Sequence, residues 1–540
     1  MLIDRRLLLK SAALGAGALA LPAWAQVLAA RGFTHSVASG EPGQDRVMLW
    51  TRYMPAAGGS GRLRWEVARD TEFARVLSQG EVEASPERDW CVKPVAEGLA
   101  PGDWYYYRFV DRDGLSSPVG RTRTLPDGTV NTFTLGLFSC SNLPFGYFNA
   151  YGHAAARQDI DLIVHVGDYL YEYQRGNYPS AQEALPERLI FPEHEILALA
   201  DYRIRYAAYR SDPDLQRIHQ LFPMIMMWDD HESANDSWQG GAQNHQPATE
   251  GEWGARKTAA MHACREWMPV SEENWTSYRI GELADLFRPE TRLVGRSQQL
   301  SLSAFMQGRA DTAQALAEFR DGPWQSAQRT MLGMEQEAWL AGELRRSVAD
   351  GVKWQVLCQQ AIMGSVSLGP ELAAMRSEGA DATVRAGMDL ALAASRLGLP
   401  YSMDIWDGYP AARARLLGAS QEADANLVVL SGDSHNAWAF ELDQEGMPAG
   451  TEFAGHSVSS PGFERSIRAD PPAVARAMVG QNPQLKWADT SRRGYVTLKL
   501  TPERATGEFV FMDTVLRPSL ALSGGHAMSV AHGTNRFAAA

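Results

Sequence analysis

Four apolar runs in this chain of 540 residues are each followed at once by groups able to bind a cation. Ser139-Cys140-Ser141-Asn142 follows the first, and Gly167-Asp168-Tyr169-Leu170-Tyr171-Glu172 the second. Trp228-Asp229-Asp230-His231-Glu232, with Asn235 shortly after, follows the third, and Ser431-Gly432-Asp433-Ser434-His435-Asn436 the fourth. A fifth run ends at Cys358 and is followed by Gln359 and Gln360. One such cluster would pass as a solvated turn, but several directly after apolar runs are hard to explain that way. Carboxylates gathered this closely repel one another unless a cation compensates them.

The donor types constrain that cation. Cys140 and Tyr171 would bind as thiolate and phenolate, which favours iron or another strongly Lewis-acidic ion. Zinc also accepts Cys, His and Asp. Asp230 and Asp433 offer oxygen, suited to calcium, magnesium or manganese. Asp168, central in the set, could bridge two ions, and a pair roughly 3.5–4 Å apart clamps a phosphoryl group and generates hydroxide at moderate pH. Cys140 also suits a small buried core position. Asp229 is expected to orient its neighbours, and His231 to contact substrate or leaving group. His153, His165, His194, His219 and His245 lack such company and read as structural or exposed.

The elements that must position these groups form an α/β pattern. Runs 132–138, 162–166, 221–228, 353–358 and 426–431 read as strands of a mostly parallel sheet, buried on both faces. Helical patterns at 151–158, 201–210, 256–267 and 333–349 lie between them. Ligands bind outside the carboxyl ends of strands in such sheets, which is where the polar clusters fall. Before them, residues 33–126 carry short β-favouring runs split by Gly, Pro and Asp. That pattern predicts a small accessory antiparallel sandwich of immunoglobulin or fibronectin type. Residues 132–517 then form the main domain, and 518–540, rich in Ala, Gly and Ser, are expected to be a flexible tail or lid.

Composition narrows the partners. Hydrophobic content of 45% and charged content of 21% are those of a globular protein, and a formal net charge of −13 disfavours nucleic acid. Residues 1–25 have the layout of a signal peptide: Arg5-Arg6 opens a weakly apolar stretch, and Ala23-Trp24-Ala25 offers a cleavage site. The arginine pair resembles a twin-arginine signal, which implies the twin-arginine export machinery as a partner and a periplasmic or secreted protein. The four cysteines, Cys91, Cys140, Cys264 and Cys358, are widely spaced and form no CxxC pair.

Together these residues resemble the calcineurin-like metallophosphatase superfamily, and most closely its alkaline phosphatase D (PhoD-like) branch. Gly167-Asp168 matches the superfamily's Gly-Asp block. Asp229-Asp230-His231-Glu232 looks like its Gly-Asn-His-Asp/Glu block, and Gly432-Asp433-Ser434-His435 like its final Gly-His-x-His. Ser139-Cys140 stands where Asp-x-His would be. Phe33 to Pro42, Asp404 to Pro410 and Ser457 to Gly462 also look like segments of that branch. The resemblance implies a four-layered α/β/β/α sandwich behind the N-terminal β domain. It implies Fe3+ held by Cys140, Asp168, Tyr171 and His435, and Ca2+ held by Asp168, Asp230 and Asp433; Zn, Mn or Mg would be alternatives. Asn235 and Gln360 are further candidates for calcium or phosphate contacts, and Arg292 for phosphate, unless Arg292 is an exposed salt bridge.

The expected function is an exported phosphoesterase acting on phosphomonoesters, phosphodiesters or both through metal-activated water, with His231 and Asp168 central. Its substrates would be small phosphoesters or lipid head groups. A phospholipase D-type reaction on lipid head groups is the nearest alternative. A non-catalytic exported metal-binding protein is the remote one.

Overall fold

The computed structural model describes residues 30–375 and 382–539; the signal segment expected at 1–25 lies outside them. Two large sheets face each other. In the ten-stranded sheet, Phe133–Phe138, Leu162–His165, Pro223–Met226 and Gly32–Gly40 run parallel side by side. In the seven-stranded sheet, Ala284–Arg288, Trp354–Cys358, Leu427–Ser431 and Met447–Ala454 do the same.

Side-chain alternation explains why these strands are apolar throughout. Leu162, Val164 and Val166 point into the core between the sheets with Val356, Cys358, Val428 and Leu430. Ile163 and Phe138 point the other way, against helices Asn149–Ala156, Leu199–Tyr209, Pro213–Leu221 and Trp253–Trp267. Leu427, Val429 and Leu357 likewise face helices Met334–Ala349, Pro410–Glu422 and Pro471–Gln481. The result is the four-layered α/β/β/α arrangement. The helices expected between the strands therefore cover the outer faces of the sheets. A smaller apolar cluster of Leu316, Phe319, Ala394 and Leu399 packs the inserted helices Leu302–Met306, Thr312–Phe319 and Ala382–Arg396.

Two expectations change in detail. The N-terminal β-sandwich is present, but only its four-stranded sheet is separate. Its other face is the end of the ten-stranded sheet, because Gly32–Gly40 pairs in parallel with Pro223–Met226, with Ser39 opposite Pro223. Val37, Leu49, Leu63, Tyr105 and Phe109 fill the space between the two. At the other terminus, residues expected to be loose form the strand Leu522–Ala531, paired antiparallel with Arg504–Met512. Phe537 then folds back to bridge Val530. No helix among the described residues is long and apolar enough to cross a membrane.

Glu452 ties the strand layer to the loop that follows Trp354–Cys358. Its buried carboxylate accepts from Ser431 Oγ at 2.6 Å, Met363 N at 2.8 Å and Gly364 N at 2.6 Å. Burial pushes its pKa up to about 7, against these hydrogen bonds. The folded state therefore keeps a proton that the unfolded chain loses near pH 4.5, so the residue's contribution to stability falls as pH rises to about 7. Glu452→Gln is expected to gain stability relative to the parent by on the order of a few kcal/mol between pH 5 and pH 8. A difference in unfolding free energy that does not move with pH contradicts this.

Candidate active site

The strands deliver their ends to one place, and the loops beyond them are stitched together by the main chain. Cys140 N donates to Gly167 O at 3.2 Å, Ser141 N to Asp168 O at 2.9 Å and Gly432 N to Gln360 O at 2.7 Å. Four residues at these turns adopt left-handed backbone: Cys140 (φ 60°), Asp168 (φ 54°), Asp433 (φ 62°) and His435 (φ 60°). Each such conformation costs on the order of 1–3 kcal/mol outside glycine, and such strain concentrates at ligand clamps. Gly167, at φ 99°, permits a close approach of two turns, since a Cβ there would lie 2.5 Å from Asp229 N.

Three overlapping groups of side chains gather where these turns meet. Cys140, Asp168 and His435 form one; Asp168, Asp230 and His231 a second; Asp168, Asp229, Asp230 and Asp433 a third. Within each group the ligand atoms lie within 4.8 Å of one another. Asp168 belongs to all three. Tyr171 Oη adds a phenol to the first group, 3.0 Å from Asp168 Oδ2, 3.2 Å from His435 Nε2 and 2.7 Å from Ser460 Oγ. His435 Nδ1 donates to Pro461 O at 2.9 Å, which fixes the tautomer and leaves Nε2 as a donor atom for a cation. Asp433 and His435 are the members that reach solvent, so the site opens on that side.

The electrostatics call for a cation. Asp168 Oδ1 and Asp229 Oδ2 are buried without a hydrogen-bond partner. Burial and neighbouring carboxylates push Asp168 and Asp229 well above the usual carboxylate range, and Asp433 up to about 7. Burial, with Asp168 close by, also raises the Cys140 thiol. Only Asp230 runs low: burial opposes its charge, but His231 and Arg292 outweigh that. Left to itself the cluster holds protons, and a cation in their place would satisfy the orphaned oxygens. Thiol, phenol and imidazole on one side and carboxylates on the other fit two unlike ions around a shared Asp168.

The chain matches the PhoD-like phosphatase family over residues 135–509, and that family's N-terminal domain over residues 19–126. It belongs to the PhoD-like phosphatase family. Alkaline phosphatase D of Bacillus subtilis (strain 168) is 34% identical over 509 residues, covering 91% of this chain and 79% of that protein. A solved structure of PhoD superposes with a TM-score of 0.77 at 30% identity, over 95% of this chain and 93% of the other.

The weaker candidates of this PhoD-like site fall in different places. Asp229 presents one oxygen to Arg292 Nε and leaves the other in the carboxylate group. Arg292 is fully buried, which overturns its reading as an exposed salt bridge. Its guanidinium reaches Asp229, Asp404 at 2.7 Å and Asp433 at 3.4 Å, and serves the carboxylates as countercharge. The amide of Gln360 spans Trp228 O at 2.6 Å and Thr291 Oγ1 at 2.7 Å, holding two loops together. Asn235 stands at the rim, bonded to Tyr173 and Gln243. All four cysteines are free and buried, and only Cys140 lies in the cluster.

Several supporting residues carried no role in the sequence reading. Glu232 accepts from the main-chain N–H of Asp168, Tyr169 and Asp229 at 3.1, 2.6 and 2.7 Å, and so braces two of the turns. Glu172 accepts from His231 Nδ1 at 2.7 Å. Arg296 pairs with Asp404 beside Arg292. The acidic residues sit inside the quoted strand-end clusters, so their density was the available signal; no local signal marks Arg296.

Arg292→Gln removes one of the cluster's few permanent cations. In metal-free protein it is expected to cost about 3–5 kcal/mol of unfolding free energy, because Asp229 is left buried without its partner, while Asp404 keeps Arg296. An unfolding midpoint equal to the parent's contradicts this.

Proposed function

We propose that this chain is an exported, metal-dependent phosphoesterase that hydrolyses phosphomonoesters, phosphodiesters or both. The observation that carries the reading is the buried Asp168 carboxylate, shared by three ligand groups, with one oxygen unpartnered. Cys140, Asp168, Tyr171 and His435 would hold Fe3+, and Asp168, Asp230 and Asp433 would hold Ca2+, with Asp229 at the edge of that group. Such a pair supplies Lewis acidity and activated water at moderate pH.

The chain's own residues do the rest. Glu172 fixes Nδ1 of His231, and the ring packs at a tilt against Tyr171 at a centroid distance of 4.2 Å, which leaves Nε2 for the substrate. Burial disfavours a charged His231, but Asp230, Asp168 and Glu172 hold its pKa well above the ordinary value. Glu172, bonded to Nδ1 and outside the ligand groups, favours the protonated ring, so His231 can carry the proton that a departing alkoxide needs and donate to a phosphoryl oxygen. Arg292 keeps the carboxylates in place rather than meeting phosphate, since its bonds go to aspartates. No residue is asked to act as a covalent nucleophile. The paired arginines and the Ala23-Trp24-Ala25 site support twin-arginine export to the periplasm or beyond.

Chelation of purified protein is expected to abolish phosphoester hydrolysis and metal add-back to restore it. A panel of a phosphomonoester, a bis-aryl phosphodiester and phosphatidylcholine then separates monoesterase, diesterase and phospholipase D-type activity. Turnover that survives verified metal removal contradicts the reading. His231→Asn is expected to lower kcat by about 100- to 10,000-fold, with KM changed far less. A kcat within a few-fold of the parent removes His231 from the chemistry.

A further inference from the structure

Behind the site, on the helix side of the ten-stranded sheet, five hydrogen bonds close a loop around Asp168. Gly167 N donates to His165 Nδ1 at 3.3 Å. Tyr151 Oη lies 2.8 Å from His165 Nε2 and 3.0 Å from Ser141 Oγ. Ser141 Oγ lies 3.2 Å from Tyr169 O and 3.4 Å from Asp168 O. All three side chains are out of water.

The directions of these bonds are set by what each group can give. Main-chain carbonyls only accept, so Ser141 spends its proton on Tyr169 and Asp168. Ser141 Oγ must then accept from Tyr151, whose oxygen accepts in turn from His165 Nε2–H. His165 Nδ1, left with a lone pair, takes the Gly167 N–H. Every donor is used once and the imidazole is neutral by hydrogen bonding alone. The chain leaves the backbone at Gly167 and returns to it at Asp168 and Tyr169, the segment whose left-handed conformation aims the Asp168 carboxylate. Ser141 also adjoins Cys140, so the same bonds tie two members of one ligand group together. The ring of Tyr151 is held independently, 5.0 Å from Phe138 and 5.6 Å from Phe148, so its packing does not need the hydroxyl.

We infer that His165, Tyr151 and Ser141 are positioning residues that hold Asp168, and with it Cys140, in the geometry that binds metal. This rests on the reading of Asp168 as a metal ligand. The three residues touch neither cation nor substrate, and act only through the Gly167–Tyr169 backbone.

The test uses metal-loaded holoenzyme titrated with EDTA, with retained iron and calcium read by elemental analysis beside kcat, KM and thermal midpoint. Tyr151→Phe removes only the hydroxyl, and is expected to lose iron at about 10- to 100-fold lower chelator concentration with kcat reduced and KM unchanged. Ser141→Ala breaks the next bond and is expected to do the same; if either variant fails to fold, the other decides. Tyr105→Phe removes a buried hydroxyl bonded to Ala100 in the N-terminal sandwich, and serves as a control for lost stability alone. It should hold metal like the parent. Metal retention in Tyr151→Phe and Ser141→Ala equal to that of Tyr105→Phe overturns the positioning role. Asp168→Asn separates the two ideas. Unchanged metal in that variant overturns the ligand reading, whereas metal loss there with normal retention in the other two overturns the positioning role alone.

Discussion

Asp168, Asp229 and Asp230 lie out of water, and Asp433 joins them at the site's mouth, with ligand oxygens within 4.8 Å of one another. Negative charge at that density in a low-dielectric setting has few solutions: protons, arginine or metal. The protein uses Arg292 as fixed countercharge from one side, with Asp404 and Arg296 holding that guanidinium in turn. Main-chain N–H groups of His231 and Asp236 serve Asp230, but Glu232 collects those of Asp168, Tyr169 and Asp229. That leaves Asp168 Oδ1 and Asp229 Oδ2 without partners, a cost that a cation placed there would offset.

The fold answers this constraint by making its strands rigid and ending them together. Strands apolar on both faces pack between a helical layer and the opposing sheet, so their ends have little freedom to move. Hydrogen bonds between the loops then extend the ladder past the last strand residue. Left-handed turns at Cys140, Asp168, Asp433 and His435 aim side chains inward that would otherwise follow the strand's alternation.

Much of this was legible because the signal is local. An apolar run followed by Cys, Asp, His or Tyr marks both a strand and its functional end within about ten residues, and Leu162 to Tyr171 is the clearest case. Pairings between distant segments leave no such trace. Arg292 faces four carboxylates from three separate stretches, so its sequence neighbours Pro289-Glu290-Thr291 could not show that it is buried. Ser39 opposite Pro223 joins the N-terminal sandwich to the main sheet across more than 180 residues. Gln360 follows a strand as the candidate ligands do, and its amide joins Thr291 and Trp228 from two other loops, contacts that no local pattern marks. His165, read as structural because no metal-binding residue flanks it, gains its meaning only from Tyr151 and Ser141.

The central claim is that Asp168 is shared by two cations. Anomalous X-ray scattering from crystals of the metal-loaded protein, collected on both sides of the iron absorption edge, tests it most directly. The account predicts two peaks roughly 3.5–4 Å apart. Each should lie within about 2.0–2.6 Å of an Asp168 carboxylate oxygen, with the iron peak on the Cys140 and Tyr171 side. A single ion, or two ions of which one does not touch Asp168, would contradict it.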